Sequence, residues 1–291
     1  MLRINRLLSL IAALGFATFA HANEGEGVAP AAAKLVDFGN GWAITNSMAT
    51  GWAISATMIA LLIFVLRRPQ VLPGKAQSFF ESLLETLRDL LEPIVGKKAF
   101  PAVFPLLATF FIFILAHNWM GLLPGVGTLG WGHEVDGHFH LTKPWVRPFN
   151  SDFNGTIALA LISFIAWFLV VMKYAGPKVL LWDLFGNKAD KSETPGWLYP
   201  VLTIIFIGVG AIEILSICIR PITLSVRLFG NVYGGENLLH GMNGPFLFIF
   251  YFMEALVGLI QALVFTLLTS VYIGLIVNHG DDHGHEAEAH H

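Results

Sequence analysis

The 291-residue chain is 55% hydrophobic and only 13% charged, about half the charge of a soluble globular domain. With a mean hydropathy of +0.66 and a net charge of −3, this excludes an ordinary soluble enzyme, a disordered chain and a nucleic-acid binder, which needs a basic face. A single cysteine, Cys218, excludes an internal disulfide framework and any cysteine-based metal site. The chain reads as an integral membrane protein.

Residues 1–22 come first and are not counted as a span. Arg3 and Arg6 precede an apolar core from Leu7 to Ala20, and Ala20-His21-Ala22 offers an A-x-A cleavage site. That is the pattern of a secretory signal peptide, too short to cross a bilayer. Residues 23–42 then form an external N-terminal segment, and residues 43–278 a polytopic membrane domain.

Spans are expected at Ala43 to Leu66, at Phe104 to Leu123 (opened by Pro101 and Pro105) and at Thr156 to Tyr174. Between the first two, Phe80, Leu83, Leu84, Leu87, Leu90, Leu91, Ile94 and Val95 recur at three- and four-residue steps opposite Glu81, Glu85, Arg88, Asp89 and Glu92. That predicts an amphipathic helix over 79–95, lying in the interface.

Lys and Arg number six in 67–100, two in 124–152 and four in 173–199. By the positive-inside rule the first and third of these stretches are cytoplasmic. The N-terminus is then outside, as the export signal also requires, and five spans put the C-terminus in the cytoplasm.

Two further apolar stretches are unusually long. Tyr199 to Leu238 covers 40 residues and Phe246 to Asn278 covers 33, about 60 Å and 50 Å as helices against a hydrocarbon core of about 30 Å. They are expected to be steeply tilted and antiparallel, kinked at Pro221 and joined by His240 to Pro245. The predicted fold is an all-α membrane protein with five spanning helices and one interfacial helix.

Those two helices carry ionisable groups in apolar surroundings. Glu213, Arg220 and Arg227 lie seven residues apart, on one slowly drifting stripe that Asn231 continues. Glu236 falls on the far side, toward a helix on which Glu254 and Gln261 are again seven apart. A charge in mid-membrane costs at least about 2.5–3.5 kcal/mol, so such residues mark ion paths by default. For Glu213 and Arg220 a structural ion pair is the alternative. Gly230, Gly234 and Gly235 follow Arg227 at small-xxx-small spacing, which lets another helix approach closely.

The run Arg227-Leu228-Phe229-Gly230-Asn231-Val232-Tyr233-Gly234-Gly235-Glu236 resembles the signature of subunit a of F-type ATP synthases. Asn118-Trp119-Met120-Gly121-Leu122-Leu123-Pro124 is similar to that family's N-x-x-G-L-x-P, and Asp152-Phe153-Asn154-Gly155-Thr156 to its D-x-N-x-T. Gln261-Ala262 and Thr269 to Ile276 are similar to its last helix. The resemblance implies a non-catalytic stator subunit of the inner membrane, carrying protons through two half-channels to and from the carboxylates of a c-subunit ring. It implies a b-type peripheral stalk and the rest of the synthase as further partners. Arg227 would be the arginine facing the ring; Asn231, Glu236, Glu254 and Gln261 would line the outer half-channel. Glu213 would lie by the cytoplasmic half-channel with Thr223 near it; Arg220 and Asn118 are further candidates for a supporting role. Glu254 stands where the family often has His.

Neither cofactor nor metal is expected. His133-Glu134-Val135-Asp136-Gly137-His138 approaches the H-E-x-x-H pattern of zinc proteases, but position 137 is Gly and the motif fails. His117 reads as a packed polar residue, and the His-rich acidic tail 279–291 as a solvated, unstructured end. A secondary transporter is the alternative function; the internal repeats it should carry are not visible.

Overall fold

The computed structural model describes residues 31–39, 43–66, 74–123, 126–127, 129–135, 138–177, 198–241 and 246–288. The expected export signal at 1–22, the loop lysines Lys178, Lys188 and Lys191, the joint at 242–245 and the last three residues lie outside that set. Six α-helices are described: α1 Asn46–Leu66, α2 Lys75–Val95, α3 Phe100–Met120, α4 Phe153–Tyr174, α5 Leu198–Gly241 and α6 Phe246–Glu288. All but α2 are long and apolar enough to cross a membrane.

The apolar part of α5, Leu202–Leu239, is 38 residues, or about 57 Å at the rise of an α-helix. It continues unbroken through Pro221, so the expected single long helix forms and no hairpin interrupts it. Only an inclined course keeps such a length near a hydrocarbon layer of about 30 Å.

Several boundaries differ from those expected. Ala43–Thr45 is a strand (β2) paired antiparallel with Lys34–Asp37 (β1), and α1 starts after it because the Thr45 hydroxyl accepts the Met48 N–H as a cap. Pro101 and Pro105 do not precede α3 but lie inside it; Pro101 falls in the first turn, where a missing N–H has no partner anyway, whereas Pro105 lies past that turn and leaves the Pro101 carbonyl without its helical donor. The helix α6 runs on to Glu288, into the tail expected to be unstructured. Hydropathy marks where lipid ends, not where the backbone pattern must stop. A second hairpin, Gly130–Val135 (β3) with His138–Pro144 (β4), occupies the connection between α3 and α4 in the register His133↔His140 and Val135↔His138.

The chain forms two compact units. In the unit of residues Met1–Gln70, Ile112–Thr156 and Val226–Leu263, a buried polar cluster joins the start of α1 to the start of α4. Asn46 donates to the Pro144 carbonyl at 2.8 Å, and the Ser47 hydroxyl donates to Asp152 at 2.6 Å. Asp152 also accepts the Asn154 N–H, which caps α4. Arg147, only 3% exposed, donates to the Ser151 hydroxyl and carbonyl and to the Ala31 carbonyl. Its guanidinium thus holds a piece of the N-terminal segment against the helix ends. Phe149 fits over Gly51 and Gly155, where any added Cβ would meet its ring.

In the unit of residues Val71–Phe111, Ile157–Ser225 and Val264–His291, α2 buries Leu87, Leu91 and Val95. It stops at Gly96, whose φ of +87° suits glycine. Phe79 and Leu90 of its apolar face stay exposed, as an interfacial helix requires. Gly274 of α6 sits where a Cβ would fall on the Ile94 carbonyl, so α6 comes backbone-close to α2. Phe110 and Phe265 meet edge to face at 5.5 Å between ring centroids.

Replacing Arg147 by Met leaves the two buried Ser151 oxygens and the Ala31 carbonyl without this donor. Unfolding of the detergent-solubilised chain by a denaturing detergent should then show a loss of about 1–3 kcal/mol; an unchanged midpoint would mean that water replaces the guanidinium freely.

Candidate functional site

On the part of α5 from Val226 onward, burial separates two faces. Leu228, Val232 and Gly235 are buried, whereas Val226, Arg227, Gly230, Gly234 and Leu238 are exposed. Three- and four-residue steps make the exposed positions one stripe. A Cβ added at Gly230 or Gly234 would meet nothing within 4 Å, so packing within this chain does not demand glycine there. The stripe is a strip of open backbone flanked by one guanidinium. Among the described residues, nothing forms an ion pair or a hydrogen bond with the Arg227 side chain.

The other expected outer-channel residues gather in the same unit. A Cβ on Gly235 would strike the Glu254 carboxyl group, so Glu254 lies directly against the α5 backbone beside Glu236. Glu236, Glu254 and Asn231 are half-buried. Gln261 is buried, and its Nε2 has no hydrogen-bond partner among the described residues. An amide donor held in an apolar setting is costly unless water or another group reaches it.

Asn118 holds this segment of α6 in place. Its amide donates to the Gly258 carbonyl at 3.0 Å and accepts from Asn150 at 2.8 Å. Next to it, the Trp119 indole donates to the Ala255 carbonyl. Both acceptors lie between Glu254 and Gln261 in sequence. Asn118 is therefore a bracket for this stretch of α6. His117 is fully buried, with Nδ1 at 2.8 Å from the Phe113 carbonyl and its ring stacked on Phe113, and so is packed as expected.

The remaining three residues fall in the other unit. Glu213 and Arg220 are half-buried and Thr223 is exposed, its hydroxyl donating to the Arg220 carbonyl. The structural ion pair between Glu213 and Arg220 does not form. Instead the Arg220 guanidinium lies 4.5 Å from the centroid of the Tyr272 ring, a cation–π contact that needs no carboxylate. Beside it is a cavity of about 20 Å³ lined by Ser163, Trp167, Arg220, Thr269 and Tyr272, among others, room for about one water molecule. Ser163 and Thr269 share a hydrogen bond of 2.9 Å, and the Trp167 indole donates to the Tyr272 carbonyl. The wall of the cavity is otherwise mostly apolar, with Ala160, Phe164, Ile217, Pro221 and Leu224 completing it.

Asp152, Arg147 and Asn150 were not singled out from the sequence, yet each is at least 96% buried and hydrogen-bonded. The D-x-N-x-T run at 152–156 was the one available signal for Asp152. Arg147 counted only as a loop charge, since its partner Ala31 is 116 residues away.

The family model of the ATP synthase A chain matches residues 48–274. Among curated proteins, the ATP synthase subunit a of Gloeobacter violaceus is 30% identical over 244 residues, which is 82% of this chain and 86% of that protein. The matched span contains every site residue from Asn118 to Gln261.

Gly235→Ala should cost about 1–3 kcal/mol of stability by overpacking against Glu254. Shortening the facing side chain in Gly235→Ala/Glu254→Asp should recover part of it, as read by thermal unfolding in detergent. Equal stability of the single variant and the unaltered chain would place the Glu254 carboxyl elsewhere.

Proposed function

The chain belongs to the ATP synthase A chain family, and we propose that it is the ion-conducting stator subunit of a rotary F-type ATP synthase in a bacterial inner membrane. Family membership decides against the secondary-transporter alternative. In this reading the subunit itself makes and breaks no covalent bond. It passes protons between two half-channels and a ring of c subunits, is braced by a b-type peripheral stalk, and leaves nucleotide chemistry to the soluble head.

The single observation that carries the site assignment is the exposed Arg227 side chain on its glycine-lined stripe. A guanidinium in an apolar helix costs several kcal/mol unless a counter-charge meets it. With no carboxylate of the described residues against it, the natural counter-charge is one on another chain that slides along the stripe. Glycines at 230 and 234 would let a partner helix come close. Arg227 stays protonated at any working pH, so it can draw each ring carboxylate into its ionised form without carrying a proton itself. A fixed positive charge at that point also opposes proton leakage straight across.

Glu236, Glu254, Asn231 and Gln261 supply the outer half-channel in this reading, because carboxyl and amide groups gather near one helix contact and can hold a chain of water. Glu213, Thr223 and Arg220 belong to the inner half-channel, the water-sized cavity beside Arg220 supporting that placement.

Arg227→Ala should abolish ATP synthesis and proton-driven rotation in an assembled complex whose detached head still hydrolyses ATP. Arg227→Lys keeps the charge but loses the planar fork, and should also fail to couple. Full ATP synthesis by an assembled Arg227→Ala complex would overturn the assignment.

Orientation is tested separately. A compartment-sensitive reporter fused after His291 should be active in the cytoplasm; activity confined to the periplasm would reverse the proposed topology and exchange the two half-channels.

A further inference from the structure

Asn150 has no part in the proposed ion path, yet its amide is joined to a residue that brackets it. It sits in the short turn Phe149–Ser151, in the connection between α3 and α4, and is fully buried. Its Nδ2 donates to Asn118 Oδ1 at 2.8 Å and to the Ile114 carbonyl at 3.4 Å. Asn118 in turn donates to the Gly258 carbonyl at 3.0 Å. We propose that Asn150 is a positioning residue: as the donor to Asn118, it fixes the Asn118 amide in the one orientation that can hold α6 at Gly258, between Glu254 and Gln261.

The direction of both amides follows from the ends of this relay. Ile114 and Gly258 each present a backbone carbonyl, which can only accept. Turning the Asn118 amide over would set its oxygen against the Gly258 carbonyl. Turning Asn150 over as well would set its oxygen against the Ile114 carbonyl. Each such contact opposes two acceptors in a buried setting. Position 150 must therefore donate, and an apolar side chain there releases the Asn118 amide. The Asn150 Oδ1 has no hydrogen-bond partner among the described residues. A buried amide oxygen left unpaired is costly, and the two bonds made by the nitrogen are what the residue offers in return.

There is little slack at the far end of the relay. A Cβ added at Gly258 would lie 3.1 Å from the Asn118 Cβ, so a methyl group there would press on the bracket. Trp119 adds a second bond, to the Ala255 carbonyl at 3.0 Å, one residue after Glu254. Held at 255 and 258, this stretch of α6 cannot turn or slide freely, and Glu254 stays against Gly235. The turn that carries Asn150 is itself fixed, because Arg147 donates to the Ser151 hydroxyl and carbonyl. The connection between α3 and α4 thus reaches the wall of the proposed outer half-channel through two uncharged amides.

This role presupposes the ion-path reading, and one experiment separates the two. ATP synthesis is measured per assembled complex, against the pH on the outer side, for Asn150→Leu, Asn118→Leu, their double variant and Arg227→Ala. Asn150→Leu should lower synthesis roughly 10-fold, as expected when a buried polar group loses its partner. It should also move the outer pH of half-maximal synthesis, because Glu254 and Gln261 then sit differently. A role confined to stability would lower the amount of assembled complex and leave that pH where it was. The double variant should be no worse than Asn118→Leu alone, since a relay breaks only once. Thermal unfolding of the same chains in detergent gives this cycle without assembly, and the double variant should lose clearly less than the two single losses added together. Additive losses in that cycle would overturn the proposal. So would an Asn150→Leu complex with unaltered rate and pH profile beside an inactive Arg227→Ala complex. Synthesis by the Arg227→Ala complex would instead overturn the ion-path reading.

Discussion

An arginine side chain in an apolar helix must find a counter-charge, and none of the described residues supplies one to Arg227. The other strongly placed cations have local solutions. Arg147 is enclosed by carbonyl and hydroxyl oxygens, and Arg220 lies on the face of Tyr272. Arg227 alone of these three has an exposed side chain on a stripe where glycine keeps the backbone bare. Desolvation makes that arrangement unfavourable in isolation. It becomes favourable when a partner supplies a carboxylate, and stays reversible because the helix offers nothing else to bind it.

Rigid support for such a site cannot come from the hydrophobic effect between helices, because lipid tails are as apolar as leucine. The chain relies instead on hydrogen bonds to backbone carbonyls and on close approach at glycine. Asn118 and Trp119 reach the Gly258 and Ala255 carbonyls, and Trp167 reaches that of Tyr272. Such bonds use uncharged donors, so they fix helices without placing further ions near the carboxyl groups. Gly235 and Gly274 are two of the places among the described residues where one helix meets a side chain or carbonyl of another with no room for a methyl group.

The spans were legible because twenty consecutive apolar residues have few other uses, and the long α5 and α6 because their apolar runs exceed any bilayer. The amphipathic α2 was legible from its period. Ends were less so: the strand at Ala43–Thr45 and the prolines inside α3 depend on capping and on the tolerance of a helix start, which hydropathy does not register. The hairpin at 130–144 did carry a signal, the alternation Trp131, His133, Val135 and then Phe139, Leu141, but it was short and the histidines drew attention to a helical motif. For the site, the seven-residue spacing of charges suggested a Glu213–Arg220 pair that a nearer aromatic ring displaced. Arg147 and Asn150 were out of reach, since their distant partners Ala31 and Asn118 lie 116 and 32 residues away.

These differences have one physical origin. Periodicity reports how a residue sits on its own helix, and burial of a polar group is decided by what faces it. Asp152 and Glu254 are both carboxyl groups in helix-rich surroundings, but Asp152 accepts a serine hydroxyl and a cap N–H, whereas Glu254 presses on a glycine of the neighbouring helix. The first is satisfied and suited to holding position. The second is packed against that glycine with no hydrogen bond from the described residues to hold it. A carboxyl group that is to carry protons needs that second kind of setting, because every strong fixed hydrogen bond to the ionised form would have to be broken each time a proton arrived. The contrast between bracketing polar residues (Asn118, Asn150, Asp152) and Glu254 is what the proposed ion path would require of its walls.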